Sequence, residues 1–263
     1  MAYLYNNKIK ERIRDKDELN RRLINYNSIA VASLMHDSGK YLQNEELLNE
    51  VRRVVAIKDL DKTFKNINNI PTDRFDNQYA EFYSYCLTNK FKSLPSDLRI
   101  MILYSNEAEN NAGPLKSPLF LREKEHPGIV GAKIIHLCSL YDDYLSHCIN
   151  TQAALENIMA ILGQSASNGV INKDLTNLFL DNVPIYPIGT KVILSNNEEG
   201  VVVKTFTDYT YATRPTVKLN NGQIIRLKDT TSIVVVGINN GNNAVDDLVN
   251  DQLGEVDRKV TKH

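Results

Sequence analysis

The sequence has no tryptophan, only three cysteines and no long apolar run. The scarcity of cysteine and the lack of a long apolar run each exclude whole classes of protein. Cys86, Cys138 and Cys148 are odd in number and form no C-x-x-C pair, so neither a disulfide framework nor a zinc ribbon is indicated. No stretch approaches the roughly 18 consecutive apolar residues that a membrane-spanning helix needs. We therefore expect buried, reduced thiols and no membrane span.

An excess of one charge sign is also lacking. The 31 Lys and Arg residues nearly balance the 32 Asp and Glu residues, and the net charge is −1. No overall basic field would therefore recruit DNA or an anionic membrane. The N-terminal residues contain no apolar core of signal-peptide length, so the expected location is the cytoplasm. A 263-residue chain with 42% hydrophobic and 24% charged residues is long enough for one large core or two smaller ones.

The sequence contains a series of helical patterns over residues 1–183. Ser28–Met35 is small and apolar nearly all round, as expected of a helix buried inside a domain, and Gly39 is predicted to end it. Before it, residues 7–24 form a charged helical pattern with a thin apolar stripe. Later helices are predicted at residues 45–60, 81–87, 98–104, 129–149, 151–163 and 172–181, with an irregular segment at 110–127.

The periodicity changes after Pro184. Short β-branched runs predict strands at residues 192–194, 201–206, 216–219, 223–227 and 232–236. Asn221-Gly222 lies between two of them and is a strong hairpin signal. The fold class is therefore mainly α, a helical domain over residues 1–183, followed by a small all-β module over 184–238 that forms a partly closed barrel or a twisted sheet. Residues 239–263 are rich in Asn, Gly and acidic residues and are predicted to form a flexible polar tail.

His36 and Asp37 are the first candidates for chemistry. Adjacent imidazole and carboxylate groups suit a transition metal such as manganese, iron or zinc. Lys40 follows within one turn and is placed to contact a phosphate as a point charge. A hydrogen-bonded pair that terminates a helix is the alternative interpretation of any His-Asp dipeptide.

Four segments resemble the HD superfamily of metal-dependent phosphohydrolases, and more closely its HD-GYP branch. In order, they are Leu34–Lys40 (similar to LLHDIGK), residues 102–114 (LYHHE…DGxGYP), residues 132–143 (ARIL-x-V-x-DxYDAL) and residues 186–217 (YPIGTxV…GxVV…RPxV). The order and rough spacing match over about residues 25–219. The last segment is the least expected by chance, and the first is chemically the most informative.

The resemblance implies a helical bundle that holds two or three metal ions, which activate a water for attack on a phosphodiester such as cyclic di-GMP. It implies that His36 and Asp37 are metal ligands. It also implies catalytic roles for Lys40 and Glu107. The family's substrate-binding GYP motif is reduced to Gly113 and Pro114.

The chain departs from the family pattern at most other ligand positions. No His precedes the His-Asp pair, and none occurs in residues 41–103, so two imidazole ligands are missing. The family's paired His residues fall on Ser105 and Asn106, and its late Asp falls on Ser139. Neutral hydroxyls and amides bind divalent transition metals poorly. We therefore expect impaired or lost catalysis, with at most one divalent metal (Mn, Fe or Zn) at partial occupancy.

The leading hypothesis is a degenerate HD-GYP-like signalling protein, a pseudoenzyme that binds a cyclic dinucleotide, another nucleotide or a protein partner. Two alternatives stay open. One is an active phosphohydrolase with one metal on the His-Asp pair and Glu107, or with a site relocated to His136, Asp142 or Asp143. The other is a purely structural interaction module without a ligand.

Overall fold

The computed structural model describes residues 1–57, 66–91, 93–151, 156–207 and 211–238. Contacts between backbone positions divide the chain into two compact units. The first combines Met1–Tyr141 with Leu162–Phe179, and the second combines Asp142–Ile161 with Leu180–His263. The predicted boundary after residue 183 falls between the last helix and the first strand. The predicted tail, residues 239–263, lies outside the described residues.

The helices occupy most of the chain before the sheet. Their bounds are α1 (Ala2–Arg12), α2 (Lys16–Arg22), α3 (Tyr26–Met35), α4 (Ser38–Tyr41), α5 (Glu45–Val55), α6 (Ala80–Thr88), α7 (Ser96–Leu103), α8 (Pro118–Arg122), α9 (Pro127–Thr151), α10 (Glu156–Ser167) and α11 (Lys173–Leu180). The helices predicted from residue 45 onward are confirmed within a few residues at most ends. Residues 58–60 of the helix predicted at 45–60 and residues 152–155 of the one predicted at 151–163 lie outside the described residues. The short α8, which begins with a proline in its first turn, was missed inside the segment predicted to be irregular.

The single helix predicted over residues 7–24 is wrong, because the structure has two helices there. α1 begins at Ala2 and ends at Arg12, and α2 begins after Asp15, whose side chain accepts a hydrogen bond from Glu18 N at 2.7 Å. This N-cap satisfies a backbone donor that a continuous helix would have used internally. Buried Asn6 then ties α1 to the start of the next segment through two hydrogen bonds to the backbone of Ile24, at 2.9 and 3.0 Å.

The core of the first unit lies around α5, α6 and α7. α5 buries Leu47, Leu48, Val51 and Val54, whose spacing places them on one face. α6 buries Phe82, Tyr83 and Cys86 in the same cluster. Burial raises the pKa of the Cys86 thiol well above its usual value, so this cysteine is the inert, buried thiol that the sequence predicted.

The prediction that α3 is buried all round is wrong. Ile29 and Ala32 are buried, but Val31 is 38% exposed and Leu34 is 85% exposed. α3 packs on α7 with one face, and an all-apolar sequence does not specify which face that is. Gly39 does not end α3 either, because α3 ends at Met35 and Gly39 is a buried residue of α4.

The second unit contains an antiparallel sheet of β1 (Lys191–Leu194), β2 (Glu199–Lys204), β3 (Thr216–Leu219), β4 (Ile224–Arg226) and β5 (Val235–Ile238). Their order is β4-β3-β2-β1-β5, and the sheet is not closed into a barrel. One face is buried through Val192, Leu194, Val202 and Val217. The predicted hairpin turn is confirmed: Gly222 has φ +88°, and its N–H donates to Leu219 O at 2.9 Å.

No helix in the described parts of the chain combines the length and the apolar character that crossing a bilayer requires.

Candidate functional site

His36 and Asp37 form the turn between α3 and α4, and α6 holds this turn in place. The hydroxyl of Ser84, on α6, accepts from Gly39 N at 2.8 Å and donates to His36 O at 2.6 Å. The approach is close enough that Gly39 has no room for a side chain. The backbone on both sides of the His-Asp turn is therefore held by the hydroxyl of Ser84.

The His36 ring is oriented by its own helix. Nδ1 lies 2.8 Å from Ser33 O, and because a carbonyl oxygen only accepts, Nδ1 carries the hydrogen. In the neutral ring, Nε2 then has the free lone pair. Nε2 is buried without a hydrogen-bond partner and lies 3.6 Å from Asp37 Oδ1. Metal-binding histidines are commonly held by a backbone carbonyl in this way.

Asp37 already has a cationic partner. Lys40 Nζ lies 2.7 Å from Asp37 Oδ1, across one turn at the start of α4. The Lys40 side chain is 40% exposed, so its ammonium stands at the edge of the site. The positive charge predicted to meet a phosphate is thus at the His-Asp turn, but it is shared with a carboxylate.

Glu81 is a site residue that sequence reasoning missed. It is the second residue of α6, and the residue is buried, with 7% of its surface exposed. Burial raises its pKa to about 7, and the charge of Asp37 adds to this. Its own backbone N–H, the charge of Lys40 and a hydrogen bond from Asn106 act against the increase. Glu81 Oε2 has no hydrogen-bond partner. The sequence signal that could have identified Glu81 is that it is the lone acidic residue in the aromatic run AEFYSYCL.

Asn106 and Ser105, the two positions on which the resemblance places paired histidines, differ in their exposure. Asn106 is exposed and interacts with Glu81 at the site. Ser105 is buried, and its hydroxyl donates to Ile102 O at 2.9 Å, within the end of α7. Ser139, the position of the late Asp, is half-buried on α9.

Glu107 is committed to a neighbouring loop. Its two carboxylate oxygens accept from Leu115 N at 2.6 Å and Ser117 N at 3.2 Å. Burial raises its pKa in spite of these hydrogen bonds. Gly113 is packed so tightly that a Cβ there would lie 2.8 Å from Glu107 Cα and Cδ. The carboxylate therefore organises residues 113–117, and each of its oxygens accepts a backbone hydrogen bond from that loop.

Pro114 belongs to the same loop. Its carbonyl accepts from Asn66 Nδ2 at 3.0 Å, which ties the loop to the segment before α6. Together with Gly113, it shapes a loop anchored on Glu107. Nothing in these contacts tests the substrate-binding role that the resemblance implies for the two residues, and that role stays a prediction.

His136 lies in the interior. It is 8% exposed, its ring is hydrogen-bonded to the backbone of Ser105, and its Nδ1 has no partner. Burial lowers its pKa, against the effect of the Ser105 hydrogen bond. Asp142 and Asp143, the other members of the relocated site considered above, are exposed. His136 thus hydrogen-bonds the backbone of Ser105, the residue before Asn106, from the interior of the unit.

A second polar cluster lies beside His136. Lys133 Nζ is 2.6 Å from Glu109 Oε1, which also accepts from Asn172 Nδ2 at 2.8 Å. Burial alone would raise the pKa of Glu109, but the hydrogen bonds from Lys133 and Asn172 and the nearby lysine charges hold it below the usual value. The adjoining cavity measures about 10 Å³, which is room for about one water molecule. The cluster links α9, the start of α11 and the segment after α7 through Glu109.

The family's metal centre can be tested against these side chains. Among the described residues, no three His, Cys, Asp or Glu side chains lie close enough together to hold a metal ion. His36 Nε2 and Glu81 Oε2 are orphaned buried atoms of the kind that ligands satisfy. They and Asp37 supply fewer groups than two or three metal ions need. The residues present therefore do not fit the multi-metal centre of the family.

No family model, curated protein or solved structure matches the chain. The function is therefore argued from the site itself, formed by His36, Asp37, Lys40, Glu81 and Asn106.

Proposed function

We propose that the chain is an HD-GYP-like protein that has lost efficient hydrolysis and acts in signalling by binding. The observation that carries this proposal is the donor set at the His-Asp turn. Asn106 stands where an imidazole would be needed, and both oxygens of Glu107 are taken by the loop at 115–117. A water-activating centre with two or more metal ions requires more nitrogen and oxygen ligands than remain.

The proposed ligand class is a cyclic dinucleotide or another nucleotide. Lys40 offers a partly exposed ammonium, and Asn106, which is hydrogen-bonded to Glu81, offers an exposed amide. These are donors that a phosphodiester oxygen accepts from without any metal ion. A protein partner is the alternative occupant, and it would dock without a requirement for phosphate.

A second candidate function is a phosphohydrolase with one metal ion. It is favoured by the free Nε2 lone pair of His36, 3.6 Å from Asp37 Oδ1. Glu107, the third group expected from the sequence, has each oxygen hydrogen-bonded to the loop at 115–117, so this candidate rests on His36 and Asp37. The metal would supply Lewis-acid activation of water.

A hydrolysis assay separates the two candidates. Purified chain is incubated with cyclic di-GMP and Mn²⁺ or Fe²⁺, and products are separated by chromatography. We expect the wild-type chain and a His36→Ala variant to give the same background. We also expect cyclic di-GMP to raise the melting temperature without metal, because a ligand that prefers the native state stabilises it. Product formation that is present in the wild type and abolished in His36→Ala would contradict the proposal.

A further inference from the structure

The strand register shows which side chains lie on each face of the sheet, because directly opposite residues share a face. Val202 of β2 and Val217 of β3 are opposite each other, and both are fully buried. The preceding residue of β2, Val201, is opposite Lys191 of β1 and Lys218 of β3, so these three side chains lie on the other side, which we call the outer face. Lys218 is exposed, so the outer face reaches solvent.

The outer face carries an excess of positive charge. Its basic residues are Lys191, Lys204, Lys218 and Arg226. Lys204 and Arg226 are both opposite Thr216, which is two residues before Lys218 and therefore on the same face. Among the residues of the five strands, Glu199 is the only acidic one. The net charge of the whole chain is −1, so this positive charge is local to the sheet.

The cations of the outer face lie close to one another. Lys218 is opposite Ile224, so Arg226 is its diagonal neighbour on the adjacent strand, with the two Cα atoms about 7–8 Å apart. Among the described residues, no ion pair includes Lys204, Lys218 or Arg226. Like charges at such a distance repel each other, and a ligand with several anionic groups relieves that repulsion.

Two aromatic rings lie at one end of the outer face. Phe206 follows β2, and its ring centroid is 6.3 Å from that of Tyr211, which is 42% exposed. Lys204 Nζ and Lys228 Nζ lie 5.6 and 5.4 Å from the Phe206 centroid, within the range of a cation–π contact. Asp229, next to Lys228, is exposed and offsets only one of the two lysines. Lys204 therefore joins an accessible aromatic ring to the basic face.

We propose that the outer face binds single-stranded nucleic acid, with phosphates on the basic side chains and a base stacked on Tyr211. The phosphate contacts are assigned to the exposed residues Lys204, Lys218, Arg226 and Lys228. A single strand fits this lining because it combines a chain of anions with bases whose faces are free to stack. The inference goes beyond the proposed function, because none of these residues lies at the His-Asp turn.

The test is fluorescence anisotropy of the full chain with labelled oligo(U) and oligo(dT) of about 12 nucleotides. At about 50 mM salt we expect a micromolar dissociation constant for at least one of them. The two oligonucleotides distinguish RNA from DNA as the source of the strand. Raising the salt to about 200 mM is expected to weaken binding about 50-fold, since four phosphate contacts on a single strand give a slope of about −3 in log K against log salt.

A duplex of the same length is the control for stacking. A duplex has the higher charge density, so binding by charge alone would favour it, whereas its bases are already stacked on one another. We expect the single strand to bind more tightly than the duplex. Tyr211→Ala is expected to weaken binding of the single strand at least about fivefold, and Tyr211→Phe, which keeps the ring, is expected to bind as the wild type does.

The basic side chains are tested by a charge-removing pair of substitutions. Lys218→Gln with Arg226→Gln is expected to weaken binding at least about tenfold and to reduce the salt slope by about 1.4. Lys218→Arg with Arg226→Lys keeps both charges and is expected to keep the affinity. Lys10→Gln with Arg12→Gln is the matched control, because it removes one lysine and one arginine from exposed positions of α1. Circular dichroism checks folding, and the single Gln variants replace the pair if it does not fold.

Four results would overturn the inference. They are no binding of either single strand at about 50 mM salt, equal or tighter binding of the duplex, unchanged binding after both charges are removed, and equal binding by Tyr211→Ala and Tyr211→Phe. The last result would mean that the ring takes no part and that the face fits an acidic protein segment instead. Binding of only one of the two oligonucleotides supports the inference and identifies the sugar.

Discussion

Replacing Glu81 with glutamine is expected to raise the free energy of unfolding at pH 8 by about 3 kcal/mol. Burial raises the pKa of this carboxyl from 4.5 to about 7. Each tenfold change in proton affinity corresponds to about 1.4 kcal/mol. Glutamine has nearly the same shape and carries no charge, so it removes the cost of burying an ionised group. Urea unfolding at several pH values measures the effect.

The pH dependence gives this prediction its sign. Because the folded-state pKa of Glu81 is raised, its contribution to stability is fully present below pH 4.5 and is lost as the pH rises to about 7. The stability difference between the variant and the wild type should therefore be small at pH 4.5. It should grow up to about pH 7 and stay constant above it. A difference that is independent of pH, or a variant less stable at pH 8, would contradict a buried carboxyl whose pKa is raised.

Glu107→Gln is the matched control for that substitution. Both glutamates are buried, but the Glu107 oxygens accept hydrogen bonds from Leu115 N and Ser117 N. The glutamine amide would present a donor to one of these N–H groups. We expect Glu107→Gln to lower the free energy of unfolding at pH 8 by about 2 kcal/mol, the opposite sign.

Replacing Gly39 with alanine is expected to lower the free energy of unfolding by about 2–3 kcal/mol. A Cβ at Gly39 would lie 2.8 Å from Ser84 N and Tyr83 Cβ, and closer still to Ala80 O. Two of these three atoms are backbone, so α6 and the His-Asp turn must move apart. The hydrogen bonds of the Ser84 hydroxyl with Gly39 N and His36 O would weaken at the same time.

Gly163→Ala is the control for the glycine substitution. Gly163 lies within α10, and a Cβ there meets no atom within 4 Å. Alanine is a better helix former by about 1 kcal/mol, so this variant should be more stable than the wild type. Equal effects of the two substitutions in thermal unfolding would mean that the close packing of Gly39 on α6 is not required.

Local signals in the sequence predicted several elements well. The Asn221-Gly222 turn requires φ > 0, which few residues adopt, so the hairpin could be placed closely. α5 has one apolar face, and that face is the buried one. The last strand was predicted at 232–236 but lies at Val235–Ile238, because its register is set by pairing with β1 and not by composition.

The tertiary contacts of the site were not predictable from the sequence. The apolar residues of α3 gave no indication that Leu34 would face solvent, since burial there depends on where α7 packs. Glu81 and His36 are far apart along the chain, and the hydrogen bonds of Ser84 with Gly39 N and His36 O join their two segments. Glu107 was identified by its neighbours in sequence, whereas its role depends on the loop eight to ten residues later.

The central claim is that the His36–Asp37 turn is not a multi-metal hydrolytic centre. Metal content measured by mass spectrometry, after reconstitution with Mn²⁺ or Fe²⁺ and removal of excess ion, tests it most directly. We predict well under one metal ion per wild-type chain, since Lys40 engages Asp37 and the residues at the three further ligand positions implied by the resemblance are Ser105, Asn106 and Ser139. Two tightly bound ions per chain, lost on His36→Ala substitution, would contradict the account.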